Sequence, residues 1–209
     1  MEFAQITVAG WAVATVVVGT TITGCGNDHE TSSPSSSAIS SSAAASSTGS
    51  SAVTSPSPGQ QPSDYSSLLI KPSDIGADFS TPQPPVLNPN NAAGVAQLFA
   101  NADNSRRIGD TILIVADPAA AAAGLDNTKT NYAGKVSGTW QPVDVGSNGA
   151  MISGTSSDNS QAVTVLLFTE GKAMVDMEFD GAHNNPFDPG VATDIGRKQD
   201  AAIKSGLPG

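Results

Sequence analysis

Gln161-Ala-Val-Thr-Val-Leu-Leu-Phe-Thr-Glu170, a single Gly171, and Lys172-Ala-Met-Val-Asp-Met-Glu-Phe-Asp180 stand in succession near the C-terminus. Two β-rich runs joined by one turn residue make an antiparallel pair, because so short a connection cannot cross to a parallel neighbour. The first run is apolar on both parities from Val163 to Phe168. It therefore predicts a central strand covered on both sides of the sheet.

Upstream, residues 139–145 and 150–155 read as two more strands, set off by Gly146-Ser-Asn-Gly149 and Ser157-Asp-Asn159. Residues 108–115 read as a further strand. Three helices are expected around these. Asp117-Pro118 followed by five alanines combines an N-cap acid, proline at the first position and strong helix formers, and the helix runs to about Tyr132. Asn91 caps a helix over 92–100, with Val95, Leu98 and Phe99 inward. Residues 191–205 form an amphipathic helix with Val191, Ile195, Ala202 and Ile203 inward, ended by Gly206 with Leu207 beside it. A helical turn opens at Pro72 and stops at Gly76. The sum is α+β: an antiparallel sheet of about five strands, ending in a meander, packed with helices.

This domain spans 64–209, the size of one ordinary domain. It holds all nine Lys and Arg and sixteen of the nineteen acids of a chain whose net charge is −10. No basic stripe interrupts that acidity, which argues against a nucleic-acid partner. Residues 31–63 hold no charge at all and are almost wholly Ser, Thr, Pro, Ala and Gly. Such a stretch buries too little apolar surface to offset the entropy of ordering, so 25–63 is expected to be a disordered tether with a mean span of roughly 30 Å. Its Ser/Thr and Pro content also suits O-glycosylation.

Before the tether, an uncharged apolar segment over 6–22 ends in Ile22-Thr-Gly-Cys25, and Cys25 is the only cysteine. The segment is short for a spanning helix, which needs about 20 apolar residues. It reads instead as a lipoprotein signal, 1–24, cleaved between Gly24 and Cys25 with acylation of the Cys25 thiol by palmitate-type chains. Two or more acyl chains hold stably, each buried methylene contributing about 0.8 kcal/mol. The expected address is the extracytoplasmic face of the cell membrane, lipid-anchored. Met1-Glu2-Phe3-Ala4-Gln5 departs from the signal pattern, having no Lys or Arg; either the start lies upstream or the α-amine supplies the charge. With one cysteine the chain makes no internal disulfide.

Candidate chemistry is sparse. Asp176, Glu178 and Asp180 alternate along one strand and share a face. As hard oxygen ligands they are weak candidates for a calcium-type metal, but the EF-hand spacing would place Phe187 where a Glu is required. Alternation alone predicts a solvated sheet face. His183 lies in the loop His183-Asn-Asn-Pro-Phe-Asp188 near Asp188 and Asp194, yet no Gly-x-Ser-x-Gly elbow holds a nucleophile. There is no phosphate-binding glycine loop, dinucleotide fingerprint, zinc spacing or second thiol, so no cofactor is expected. Trp140, Phe99, Phe168, Phe179 and Leu167 are assigned to the core, and Lys198 and Lys204 to solvent.

Together, Ile22-Thr-Gly-Cys25, the Ser/Ala/Pro tether, and the pattern from Val163-Thr-Val-Leu-Leu-Phe through Met177-Glu-Phe-Asp180 to Gly196-Arg-Lys-Gln-Asp-Ala-Ala-Ile-Lys204 resemble the small exported lipoproteins of mycobacteria, the Lpp and Lpq types. The resemblance implies a membrane-anchored, often antigenic envelope lipoprotein, and supplies no active-site residues. The leading expectation is a non-enzymatic domain that binds a protein or an envelope component. The alternative is a lipid or small-molecule carrier with a cavity between sheet and helices; a hydrolase built on His183 is the third.

Overall fold

The computed structural model describes residues 64–207; the expected signal segment 1–24, Cys25 and the tether 25–63 lie outside the described residues. The elements are α1 (Pro72–Ile75), β1 (Phe79–Ser80), β2 (Val86–Leu87), β3 (Gly94–Asn101), β4 (Arg107–Ile114), α2 (Pro118–Asn131), β5 (Gln141–Pro142), β6 (Ser147–Thr155), β7 (Gln161–Glu170), β8 (Ala173–Ala182) and α3 (Pro189–Gly206). The eight strands form one sheet in the order β1-β3-β4-β8-β7-β6-β5, with β2 beside β1 on the same edge of β3. Every pairing is antiparallel. The α+β reading holds.

The β7–β8 hairpin lies at the centre, as its two-sided apolarity requires. Leu166 opposite Met177 and Phe168 opposite Val175 face α3 and the opening segment. Val163, Val165 and Leu167 face α2 with Ala121, Leu125 and Met174. Phe99, Phe168, Phe179, Leu166 and Leu167 are each at most 1% exposed, so both interlayer spaces are filled by side chains. Gln199 of α3 locks the opening segment down: its amide nitrogen donates to the Leu68 carbonyl (2.7 Å) and its oxygen accepts from the Ile70 N–H (3.1 Å).

Asp117 caps α2 by accepting from the Ala120 N–H at 2.8 Å, and Asp188 caps α3 by accepting from Gly190 and Val191. Both helices open on proline, as the first-position preference predicts.

Four local expectations are corrected. The expected helix over 92–100 is strand β3, paired with β4 from Gly94 opposite Leu113 to Ala100 opposite Arg107. Val95 and Phe99 suit helical spacing, but Val95, Gln97 and Phe99 also share one strand face, and pairing on both edges outweighs local propensity. Asn91 is left-handed (φ 61°) and caps nothing. The expected strand over 139–145 shrinks to Gln141–Pro142. Val191, expected inward, is 45% exposed. The end of α3 is as expected: Gly206 is its last residue, and Leu207 follows as the cap and packs against the core.

Candidate functional site

On β8 the pleat places Asp176, Glu178 and Asp180 on the α2 side of the sheet. They do not lie on the open, solvated face expected from alternation. Tyr132, one residue past the end of α2, covers them: its hydroxyl lies 3.1 Å from each Asp176 oxygen and 3.0 Å from Glu178 Oε2. Arg107, opposite Asp180 in the β4–β8 register, pairs with it through Nη2 and Oδ2 at 3.2 Å. The tyrosine oxygen occupies the space between Asp176 and Glu178 where a shared cation would sit. Among the described residues no group of three His, Cys, Asp or Glu converges to hold a metal.

Burial raises all three carboxyls. Asp176 is pushed up to about 7, by desolvation first and the Glu178 charge second, against the pull of Tyr132 and Lys135. Glu178 is raised by desolvation and then by the charge of Asp180; Asp180 is raised by desolvation although Arg107 draws it down. Tyr132 is held firmly neutral by burial and by the two acids beside it. One hydroxyl has one proton. It donates to one carboxylate and can only accept from the other, so a proton must reside on one of the two acids when both contacts are made. Tyr132→Phe is expected to cost about 1–3 kcal/mol of stability. The loss should be larger at pH 8 than at pH 5, because the hydroxyl favours ionised Asp176; paired thermal melts check both the sign and the size.

A fourth acid escaped sequence reading. Asp110 shares the parity of Ile108 and Ile112 on β4 and so points into the α3-side core, where it is 0% exposed and neither carboxylate oxygen has a hydrogen-bond partner. Desolvation, with the charge of Asp176 as a second cause, pushes it up to about 8. The signal was legible: an acid in register with two isoleucines in a strand.

His183 is exposed on the loop from β8 to α3. Its two sequence neighbours are engaged elsewhere, Asp188 as the α3 cap and Asp194 in a pair with Arg197 at 3.2 Å. The structure does not bring the three together.

Two concave surfaces lie at the margins of the layers. One, of about 500 Å³, runs between the opening segment and α3 past Ile70, Lys71, Lys198 and Ala202. The other, of about 320 Å³, lies between α2 and the β5–β6 edge, lined by Asp126 and Lys129 from α2, Trp140 and Gln141 from the β5 arm, and Asn148 from β6. Trp140, half-buried, packs against the α2-side core as expected and also lines this cleft. Lys198 and Lys204 are exposed, as expected.

The fold and these surfaces define an α+β domain with one central antiparallel sheet, helices on both faces and clefts open at the sheet margins. The described fold is similar to the extracellular domain of PknH from Mycobacterium tuberculosis, with a TM-score of 0.51 at 11% identity, over 70% of this chain and 100% of that one. No protein-family model matches the sequence, and no curated protein matches it. Among the described residues no helix is long and apolar enough to cross a membrane.

Proposed function

We propose that the chain is an extracytoplasmic lipoprotein: processed between Gly24 and Cys25, acylated on Cys25, and holding its domain from residue 64 onward away from the membrane on the 25–63 tether. The domain binds a protein or an envelope component and does no catalysis. The observation that carries this reading is the succession of Ile22-Thr-Gly-Cys25, an uncharged Ser/Pro tract, and a folded acidic domain. The likeness of that domain's fold to a mycobacterial extracellular domain supports the same address. The non-enzymatic part draws support from the exposed His183, whose neighbouring acids are spent on a helix cap and an ion pair.

The alternative, carriage of a lipid or small molecule between sheet and helices, draws its support from the cleft beside Trp140. At about 320 Å³ and rimmed by charges and amides, that cleft suits a small polar molecule better than an acyl chain.

Replacing Cys25 with Ser tests the anchor. The parent is expected in the membrane fraction, with an N-terminal mass equal to Cys25 plus acyl groups; the variant is expected in the soluble fraction. A parent chain that keeps residues 1–24, or whose thiol is free, overturns the reading.

A further inference from the structure

The cleft beside Trp140 carries more than a volume. Its aromatic platform is held in place: Tyr132 meets the indole edge-on at 6.2 Å and 72°. The far wall is irregular in a specific way. The β6–β7 register breaks between Ser147 and Ala150, and Asn148 sits in the left-handed region (φ 56°). A bulge of this kind turns a side chain out of the ladder and re-aims it. Asn148 Nδ2 is tied to Thr169 Oγ1 at 3.1 Å, which fixes the amide and leaves its oxygen to accept. On α2, Lys129 Nζ and Asp126 Oδ1 lie 3.3 Å apart, an ammonium and a carboxylate side by side at the rim. Gln141 adds an exposed amide.

Together these give one flat aromatic surface and, around it, separate donors and acceptors with no excess of either charge. A nucleotide or other anion would want more than Lys129. An apolar peptide or acyl chain would want a greasier rim. A saccharide matches both parts, since its C–H face lies against an aromatic ring and its hydroxyls both donate and accept. We propose that the cleft between α2 and the β5–β6 edge is a carbohydrate-binding site, taking one or two sugar units of a polysaccharide with the ring of one stacked on Trp140. The proposal deepens the envelope-binding reading by naming the class of component, and rests on that reading only for where the sugar would be met.

Trp140 is its own reporter, because the chain's only other tryptophan is Trp11. The test uses the full chain carrying Trp11→Phe, in a detergent without a sugar headgroup. It is titrated with linear hexasaccharides of glucose, mannose, galactose and arabinose, and with a mixed hexapeptide pool. At least one sugar is expected to shift Trp140 emission saturably. Asn148→Ala should weaken that binding severalfold, and Trp140→Ala, followed by calorimetry, at least about tenfold. Trp140→Phe should retain part of the affinity, which guards against a mere folding defect in the alanine variant. Silence toward all four sugars, binding unchanged in Trp140→Ala, or a response to peptides alone each overturns the site. Because the titration is done in solution, its failure leaves the Cys25 anchor standing, and a free Cys25 thiol leaves sugar binding standing.

Discussion

Lowering the pH from 8 to 5 should raise the melting temperature of this domain, the reverse of ordinary acid behaviour. Asp110 is fully buried with both oxygens unpartnered, and its folded pKa of about 8 lies well above the ordinary aspartate value of 3.8. Below the lower value both states hold the proton and burial of the neutral acid carries no ionisation cost. Between the two values the unfolded chain ionises while the folded one stays protonated, so stability falls with rising pH and levels off above the folded pKa. At pH 7 the interval corresponds to about 4 kcal/mol, or roughly 10 °C in melting temperature. Asp176, raised to about 7, acts in the same direction, as do Glu178 and Asp180. Opposing them are Asp64, Asp103 and Asp158, lowered by hydrogen bonds within exposed turns, where solvent screens their effect.

Asp110→Val isolates the leading contributor. Its neighbours on that face are Gln97 across β3, Met177 across β8, and Ile108 and Ile112 along its own strand, so a β-branched apolar side chain fits the surroundings. The variant is expected to be more stable than the parent by about 4 kcal/mol at pH 7, with the gain shrinking to a small remainder at pH 4. A parent that melts lower at pH 5 than at pH 8, or a variant less stable at pH 7, would show that Asp110 is solvated or partnered.

Asp110 also shows what kind of information the chain exposes. Its parity with Ile108 and Ile112 places it on a core face from the letters alone, just as the two-sided apolarity of 163–168 places β7 at the centre. The Asp117-Pro118-Ala entry locates α2 for the same reason: a cap and a proline act within a few residues of themselves. What failed depended on distant partners. Val95 and Phe99 are compatible with either period, and only pairing with β4 on one side and β1 and β2 on the other makes 94–101 a strand. For Asp176, Glu178 and Asp180 the shared face was readable, but the Tyr132 above it arrives from 44 residues away in sequence, on an arm whose path no local rule fixes. For Trp140 the core contact is legible from its type, but the cleft beside it depends on how closely Gly138 and Gly154 let the chain approach β6.

Those glycines give the second large effect, expected for Gly154→Ala. After α2 the chain crosses β6 on the α2 side, and the crossing is unusually close: a methyl carbon at Gly154 would overlap the Ser137 carbonyl oxygen, and one at Gly138 would lie 2.6 Å from the Ser153 carbonyl. Both obstacles are backbone, so neither can swing aside as a side chain would. Three hydrogen bonds hold the crossing together: Ser137 N–H to the Thr155 carbonyl (2.9 Å), Thr155 N–H to Ser137 Oγ (2.8 Å), and the two hydroxyls to each other (2.9 Å). Adding one methyl forces the 136–139 segment outward, lengthening these bonds and lifting Val136 from Ile152 and Val163 in the α2-side core. Overpacking against backbone together with the weakened bonds should cost about 3 kcal/mol, a fall of roughly 8 °C in melting temperature. Trp140 follows Ser137 by three residues, so its emission should move to the red in the Trp11→Phe background as the cleft wall shifts. Gly171→Ala is the matched control, since nothing lies within 4 Å of a carbon added there and only its left-handed backbone (φ 54°) resists the change. That strain costs about 1 kcal/mol. If Gly154→Ala melts no lower than Gly171→Ala and leaves Trp140 emission where it was, the crossing is looser than the geometry requires, and the wall that carries Trp140 is not set by these two glycines.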